Sequence, residues 1–145
     1  MTGRARSLLC GPLLLAMMLT MTVPGAAAGP RPPYETVSGR VASVTDGDTF
    51  RLGSGERIRI ADIDAPESQR GQAKCSAELS RGRAASSRAR AMLAGQAVSF
   101  VRVGKSYKRT VARVRIEGHD LGEMLVEAGV AQPWLRGMPK PDWCR

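Results

Sequence analysis

Residues 37–67 read VSGRVASVTDGDTFRLGSGERIRIADIDAPE, and this stretch decides the fold. It holds three short β-rich runs, Val37–Val44, Thr49–Leu52 and Arg57–Ile63. Gly53-Ser-Gly-Glu56 separates the last two and predicts a hairpin turn. Thr45-Asp-Gly-Asp-Thr49 separates the first two. Asp-Gly is a common turn dipeptide, so on its own this cluster reads as a plain polar turn.

Downstream the period changes. Leu79, Ala85, Ala89, Met92 and Leu93 lie near helical spacing and predict a helix over 77–93 with a small-residue face. Gly82 weakens its centre, and Gly95 ends it. Residues 97–103 and 111–116 predict two more strands, the second closed by Gly118-His119. Leu121, Met124, Leu125 and Ala128 recur at i, i+3, i+4 and i+7 and predict a short amphipathic helix ending at Gly129. Three strands, a helix, two strands and a helix give a mainly β (α+β) fold. The expected architecture is a partly closed five-stranded barrel of the OB type with two packed helices. The tail from Gln132 carries Pro133, Pro139 and Pro141 and predicts an irregular strap.

Upstream, residues 1–28 have the pattern of a cleavable secretory signal. Arg4 and Arg6 precede an apolar stretch from Ser7 to Val23, and Ala26-Ala27-Ala28 supplies a small-residue cleavage site. The run is short for a bilayer span, is broken by Pro12 and is followed by Pro24-Gly25, which argues against a permanent anchor. Residues 29–36, with Pro30, Pro32 and Pro33, predict a stiff linker, and 37–145 the folded domain. The expected location is secreted or periplasmic, with no stable membrane association after cleavage. Removing the signal leaves two cysteines, Cys75 and Cys144. An even pair in an oxidising compartment suggests a disulfide, the alternative being two separate thiols.

The chain has 145 residues, with 22 Lys+Arg against 13 Asp+Glu and a net charge of +9. That length excludes two ordinary domains, and the charge points to a polyanionic partner. The signal takes away only two of the arginines, so the excess belongs to the domain. The Arg-rich helix from Arg81 to Arg90 is suited to steering a polyanion without reading sequence.

Acids gather among these cations. Arg59-Ile-Ala-Asp-Ile-Asp-Ala-Pro-Glu67 sets three carboxylates and an arginine within nine residues. Asp48 and Asp64 are hard oxygen ligands suited to Ca²⁺ or Mg²⁺. A zinc set is absent, because the only histidine is His119, expected as a solvated turn residue. Glu67 is placed to activate a water, and Arg59 and Arg109 to clamp a phosphate. Arg59 with Asp62 reads alternatively as a structural ion pair.

These residues resemble the staphylococcal-nuclease (thermonuclease) family over about residues 37–135. The matching stretches are Val44-Thr-Asp-Gly-Asp-Thr49, Arg59 to Glu67, Tyr107-Lys-Arg109 and Leu125-Val-Glu-Ala-Gly-Val-Ala131. Cys75-Ser-Ala-Glu78 and Trp143-Cys144 resemble a short exported branch, which supports the bridge. The resemblance implies a Ca²⁺-dependent hydrolase of single-stranded or denatured DNA and RNA, acting as a monomer. It implies that Asp48, Asp64 and the backbone carbonyl of Ala65 bind the metal, with Asp46 as a nearby acid behind them. It assigns Glu67 as general base, Arg59 and Arg109 to the scissile phosphate, and Tyr107 to a terminal phosphate. Water attacks in line and the 5′ P–O bond breaks, leaving 3′-phosphate products.

Two departures carry expectations of their own. Lys105-Ser-Tyr-Lys-Arg109 replaces the family's Asp-x-Tyr-Gly-Arg. Lys108 then stands at a turn-glycine position, which predicts strain and a displaced Arg109, while Lys105 and Lys108 add phosphate-binding charge. The family's stacking tyrosine is missing. Trp134 either replaces it as a base platform or packs under the strap. The rival function is a non-catalytic OB module that binds nucleic acid or another polyanion. A third reading is a small structural exported domain with its carboxylates in ion pairs.

Overall fold

A computed structural model describes residues 35–145. The expected signal at 1–28 and most of the linker lie outside the described residues. The strands are β1 (Thr36–Asp46), β2 (Thr49–Leu52), β3 (Arg57–Ile60), β4 (Ile63–Asp64), β5 (Ala97–Ser106), β6 (Arg109–Ile116), β7 (His119–Asp120) and β8 (Gln132–Pro133). The helices are α1 (Ser76–Leu93) and α2 (Leu121–Glu127).

The main sheet runs β3-β2-β1-β5-β6-β7, and β3 also pairs with β6. That last pairing is parallel, with Ile58 opposite Thr110 and Arg59 opposite Val111, and it closes the five long strands into a barrel. Closure removes the free edges that β3 and β6 would otherwise expose. Phe50, Ile58, Ile60, Phe100 and Val114 fill the interior, with Leu93, Leu121 and Leu125 from the helices. The predicted mainly β architecture with two helices is present.

The expected third strand differs in one instructive way. Asp62 adopts a left-handed backbone, φ 63°, and splits the run 57–63 into β3 and β4. Aspartate tolerates that region better than most residues. The kink turns β4 away from the barrel to pair with β8, whose neighbour Trp134 donates its N–H to the Asp62 carbonyl at 2.8 Å. Strand β1 starts at Thr36, one residue inside the expected linker, and β5 and β6 extend to the very ends of the Tyr107-Lys108 turn. His119 is exposed as expected, but it lies in β7, folded back on Ile116 by the left-handed pair Glu117-Gly118.

The Glu56 carboxylate ties the β2–β3 turn to the neighbouring strands. It accepts from Arg102 Nε and Nη2 at 3.0 and 2.8 Å and from Thr110 Oγ1 at 2.8 Å. The Arg102 hydrogen bonds hold this carboxyl below the ordinary glutamate range. Its stabilising contribution is complete above the unfolded-state pKa and disappears as pH falls through the depressed folded value. Glu56→Gln should therefore lower the denaturation midpoint at neutral pH and converge with the wild type in acid. A difference that persists unchanged below that depressed value would contradict this role.

Helix α1 packs through Gly82, Ala85, Ser86, Ala89 and Leu93. Gly82 is the reason the small face matters. A Cβ there would collide with the Glu67 carbonyl and come within 2.8 Å of the Pro66 carbonyl. The helix thus lies directly against the segment that carries Glu67. Gly82→Ala should cost about 1–3 kcal/mol through this backbone clash, outweighing the gain in helix propensity of about 1 kcal/mol. A denaturation midpoint that rises instead would overturn the packing argument.

Candidate active site

The acidic pocket is built from the β1–β2 turn and β4. Gly47 lets the turn sit close to its neighbours, since a Cβ there would lie 2.8 Å from the Ala65 Cβ and 3.0 Å from Val130. Asp48 is thereby brought to Ala65, whose N–H donates to its Oδ2 at 3.2 Å, while Thr49 Oγ1 donates to Oδ1 at 2.8 Å. Asp64 is 1% exposed and Asp48 6%. Burying two carboxylates this deeply is costly unless cations or hydrogen bonds answer them.

Arg59 answers both. Its Nη2 is 3.2 Å from Asp48 Oδ2 and 3.3 Å from Asp64 Oδ1. Its Nη1 donates to the carbonyls of Ile60 and Ile63 at 3.1 Å each. The guanidinium lies 5.5 Å from the centre of the Trp134 ring. Asp62 takes no part in this pocket and pairs outward with Arg113 at 3.2 Å, so the alternative Arg59–Asp62 ion pair does not form.

Glu67 follows β4 at the rim. Burial pushes its carboxyl up, and repulsion from Asp46 adds to the effect. Burial likewise raises Asp64, against the opposing hydrogen bond from Trp143. Asp46 is also buried and accepts a hydrogen bond from Ser68 Oγ. Glu67, Asp46, Arg109, Tyr107, Lys108 and Arg57 line one groove.

The turn before Arg109 corrects one expectation. The left-handed residue is Tyr107, φ 55°, and not Lys108. A two-residue hairpin needs positive φ at its first position, and here that position falls on Tyr107. Lys108 therefore carries no left-handed strain. Arg109 opens β6 opposite Ser106, with Nη1 3.4 Å from Thr49 Oγ1. Tyr107 is 97% exposed.

Lys105 and Trp134 lie outside the groove of Glu67, and Trp134 packs against Met138 of the strap, the second of its two expected roles. Lys105 faces a neighbouring concavity with Arg51, Arg57 and Lys108, and does not line the groove of Glu67. Trp134 is half-buried over Arg59, and its indole N–H donates to the Met138 carbonyl at 3.0 Å. Other site residues escaped the sequence reading. Lys140 Nζ is 3.4 Å from Asp64 Oδ1 and 4.0 Å from Glu67 Oε1. Trp143 Nε1 donates to Asp64 Oδ2 at 2.9 Å. Arg57 and Ser68 were also missed. The one available signal was the proximity of Lys140 and Trp143 to Cys144, which is disulfide-bonded to Cys75.

A sequence model described as "Staphylococcal nuclease homologue" matches residues 57–138. The chain belongs to the staphylococcal nuclease homologue family. No curated protein matches it. Membership in this family gives the barrel a nuclease-like or nucleic-acid-binding fold. The nuclease homologue match takes in Arg59, Asp64, Glu67 and Arg109. Asp48 precedes it, and Lys140 and Trp143 follow it, yet the fold brings all three onto the matched residues.

Among the described residues no three His, Cys, Asp or Glu side chains converge as a complete metal cage. The oxygen set of this nuclease homologue is smaller. Asp48 and Asp64 are buried carboxylates bridged by one guanidinium, with the Ala65 backbone hydrogen-bonded to Asp48. Two buried carboxylates that share one guanidinium are hard oxygen donors of the kind that suits a divalent cation such as Ca²⁺.

Proposed function

We propose that the protein is an exported, Ca²⁺-dependent nuclease that hydrolyses phosphodiester bonds of DNA and RNA with low sequence preference. One observation carries the reading. Glu67, with its raised carboxyl, shares a groove with Arg109 at the edge of a pocket where Arg59 bridges two buried aspartates. A general base and one guanidinium in a groove, with a second guanidinium holding two buried aspartates nearby, are parts that phosphodiester hydrolysis needs.

In this scheme Asp48, Asp64 and the Ala65 carbonyl would hold the cation, with Asp46 behind them. When bound, the cation offsets charge on the phosphoryl oxygens. Glu67 takes the proton from the attacking water. Arg59 and Arg109 hold the phosphate and stabilise the charge that develops on phosphorus. The 5′ P–O bond breaks and a 3′-phosphate is left. Tyr107, Lys105 and Lys108 offer an exposed ring and two cations to the strand beyond the cleavage point. The N-terminal signal pattern and the disulfide both support export to an oxidising compartment.

One contact favours a second reading, a polyanion-binding module without catalysis. Lys140 already occupies the acidic pocket as a counter-ion. Incubation with denatured DNA separates the two. Degradation is expected with Ca²⁺ and not with chelator, and Arg109→Ala should reduce it by about 10²–10³-fold. Degradation that ignores chelation would sink the mechanism. Salt-sensitive binding with no degradation would establish the binding module instead.

A further inference from the structure

The C-terminal strap is fixed at three points, two on α1 and its cap and one in the site. Cys144 is bonded to Cys75, the residue that caps α1. The Trp143 carbonyl accepts a hydrogen bond from Arg81 Nη1 of α1 at 2.6 Å. The Trp143 indole donates to Asp64 Oδ2 at 2.9 Å. Between these anchors and the barrel, Lys140 sets its ammonium 3.4 Å from Asp64 Oδ1 and 4.0 Å from Glu67 Oε1. Both oxygens of Asp64 are therefore engaged, Oδ1 by Arg59 and Lys140 and Oδ2 by Trp143.

The two strap residues differ in how firmly they are held. The Lys140 side chain is 39% exposed and sits on a flexible stem, so it can swing into solvent. The Trp143 ring is half-buried, with its backbone held by Arg81 and its neighbour by the disulfide.

We propose that the strap supplies two residues to the metal site: Lys140 as a tethered counter-ion that a divalent cation must displace from Asp64, and Trp143 as a positioning residue that orients Asp64 for the cation. This rests on the metal reading given above. The two roles have opposite signs. A fixed positive charge a few ångströms from a ligand opposes a second cation, so removing it strengthens binding. A hydrogen bond that orients a ligand preorganises the site, so removing it weakens binding.

The test is calorimetric titration of the disulfide-bonded protein with CaCl₂ at low ionic strength, with no nucleic acid present. Lys140→Gln should bind Ca²⁺ about tenfold more tightly than the wild type. Trp143→Phe keeps an aromatic ring, deletes the donor, and should bind about tenfold more weakly. Circular dichroism melts check that each variant is folded. An affinity of Lys140→Gln equal to or below the wild type overturns the counter-ion role, and an unchanged Trp143→Phe overturns the positioning role. If those results accompany calcium-dependent hydrolysis, the nuclease reading stands and only this inference falls. If neither the wild type nor Lys140→Gln binds Ca²⁺, both fall together.

Discussion

Glu67→Gln should slow hydrolysis of denatured DNA by about 10²–10⁴-fold, the range that a positioned general base supplies. The substitution keeps the shape of the side chain and removes its capacity to take a proton. Its pH profile distinguishes this from a change in binding. Burial, with Asp46 close by, holds the Glu67 carboxyl above the ordinary glutamate range. A base must be unprotonated, so the rate rises with pH through that elevated value and is lost below it. Part of the acid loss belongs to Asp64, which burial also raises and whose proton competes with the cation. Raising the Ca²⁺ concentration should recover the Asp64 part and leave the Glu67 part. In Glu67→Gln the remaining rate should lose the Glu67 part. A variant with near wild-type turnover and an unaltered profile would remove Glu67 from the chemistry.

Replacing both cysteines, Cys75→Ser with Cys144→Ser, should produce the largest loss of stability. The bridge spans a sequence separation of 69 residues. Closing a loop of that size restricts the unfolded chain by about 4 kcal/mol in the chain-entropy account. For a domain of this size the melting temperature should fall by roughly 15–25 °C. Serine suits this test because Cys75 caps α1, its sulfur accepting from the Glu78 N–H at 3.3 Å. A serine hydroxyl can replace that acceptor, so the change reports loop closure and not loss of the cap. Thermal melts followed by far-ultraviolet circular dichroism supply the measurement. A fall of only a few degrees would mean that the strap is held mainly by the Arg81 and Asp64 contacts.

Much of the fold was legible because its strands and helices follow simple periodicities. The runs after Val37, Thr49 and Arg57 alternate well enough to predict three strands, and the small residues of α1 predict its packing face. The break at Asp62 was not legible, because a single left-handed residue leaves the apolar pattern unchanged. The turn at Tyr107 was misplaced by one residue for a related reason. A family glycine marks where positive φ is usual, whereas this hairpin moves it to the preceding tyrosine. The acidic pocket was readable because Asp48, Arg59, Asp64 and Glu67 lie close in sequence, on β3, β4 and the segments that flank β2 and β4. Lys140 and Trp143 were not, since they reach Asp64 through an irregular, proline-containing tail that has no period to read. Arg57 escaped for a different reason: it looks like any exposed strand charge until the barrel sets it beside Glu67 and Arg109.

The parallel pairing of β3 with β6 also bears on when the site comes into being. Arg59 and Arg109 lie on the two strands of that seam, and Asp64 receives its last partners from the penultimate turn of the chain. The pocket therefore gathers residues that run in sequence from Asp48 to Trp143. Before β3 and β6 meet, the chain holds both arginines at no fixed distance from each other. In the proposed nuclease, activity would thus appear with barrel closure, later than the individual strands and helices.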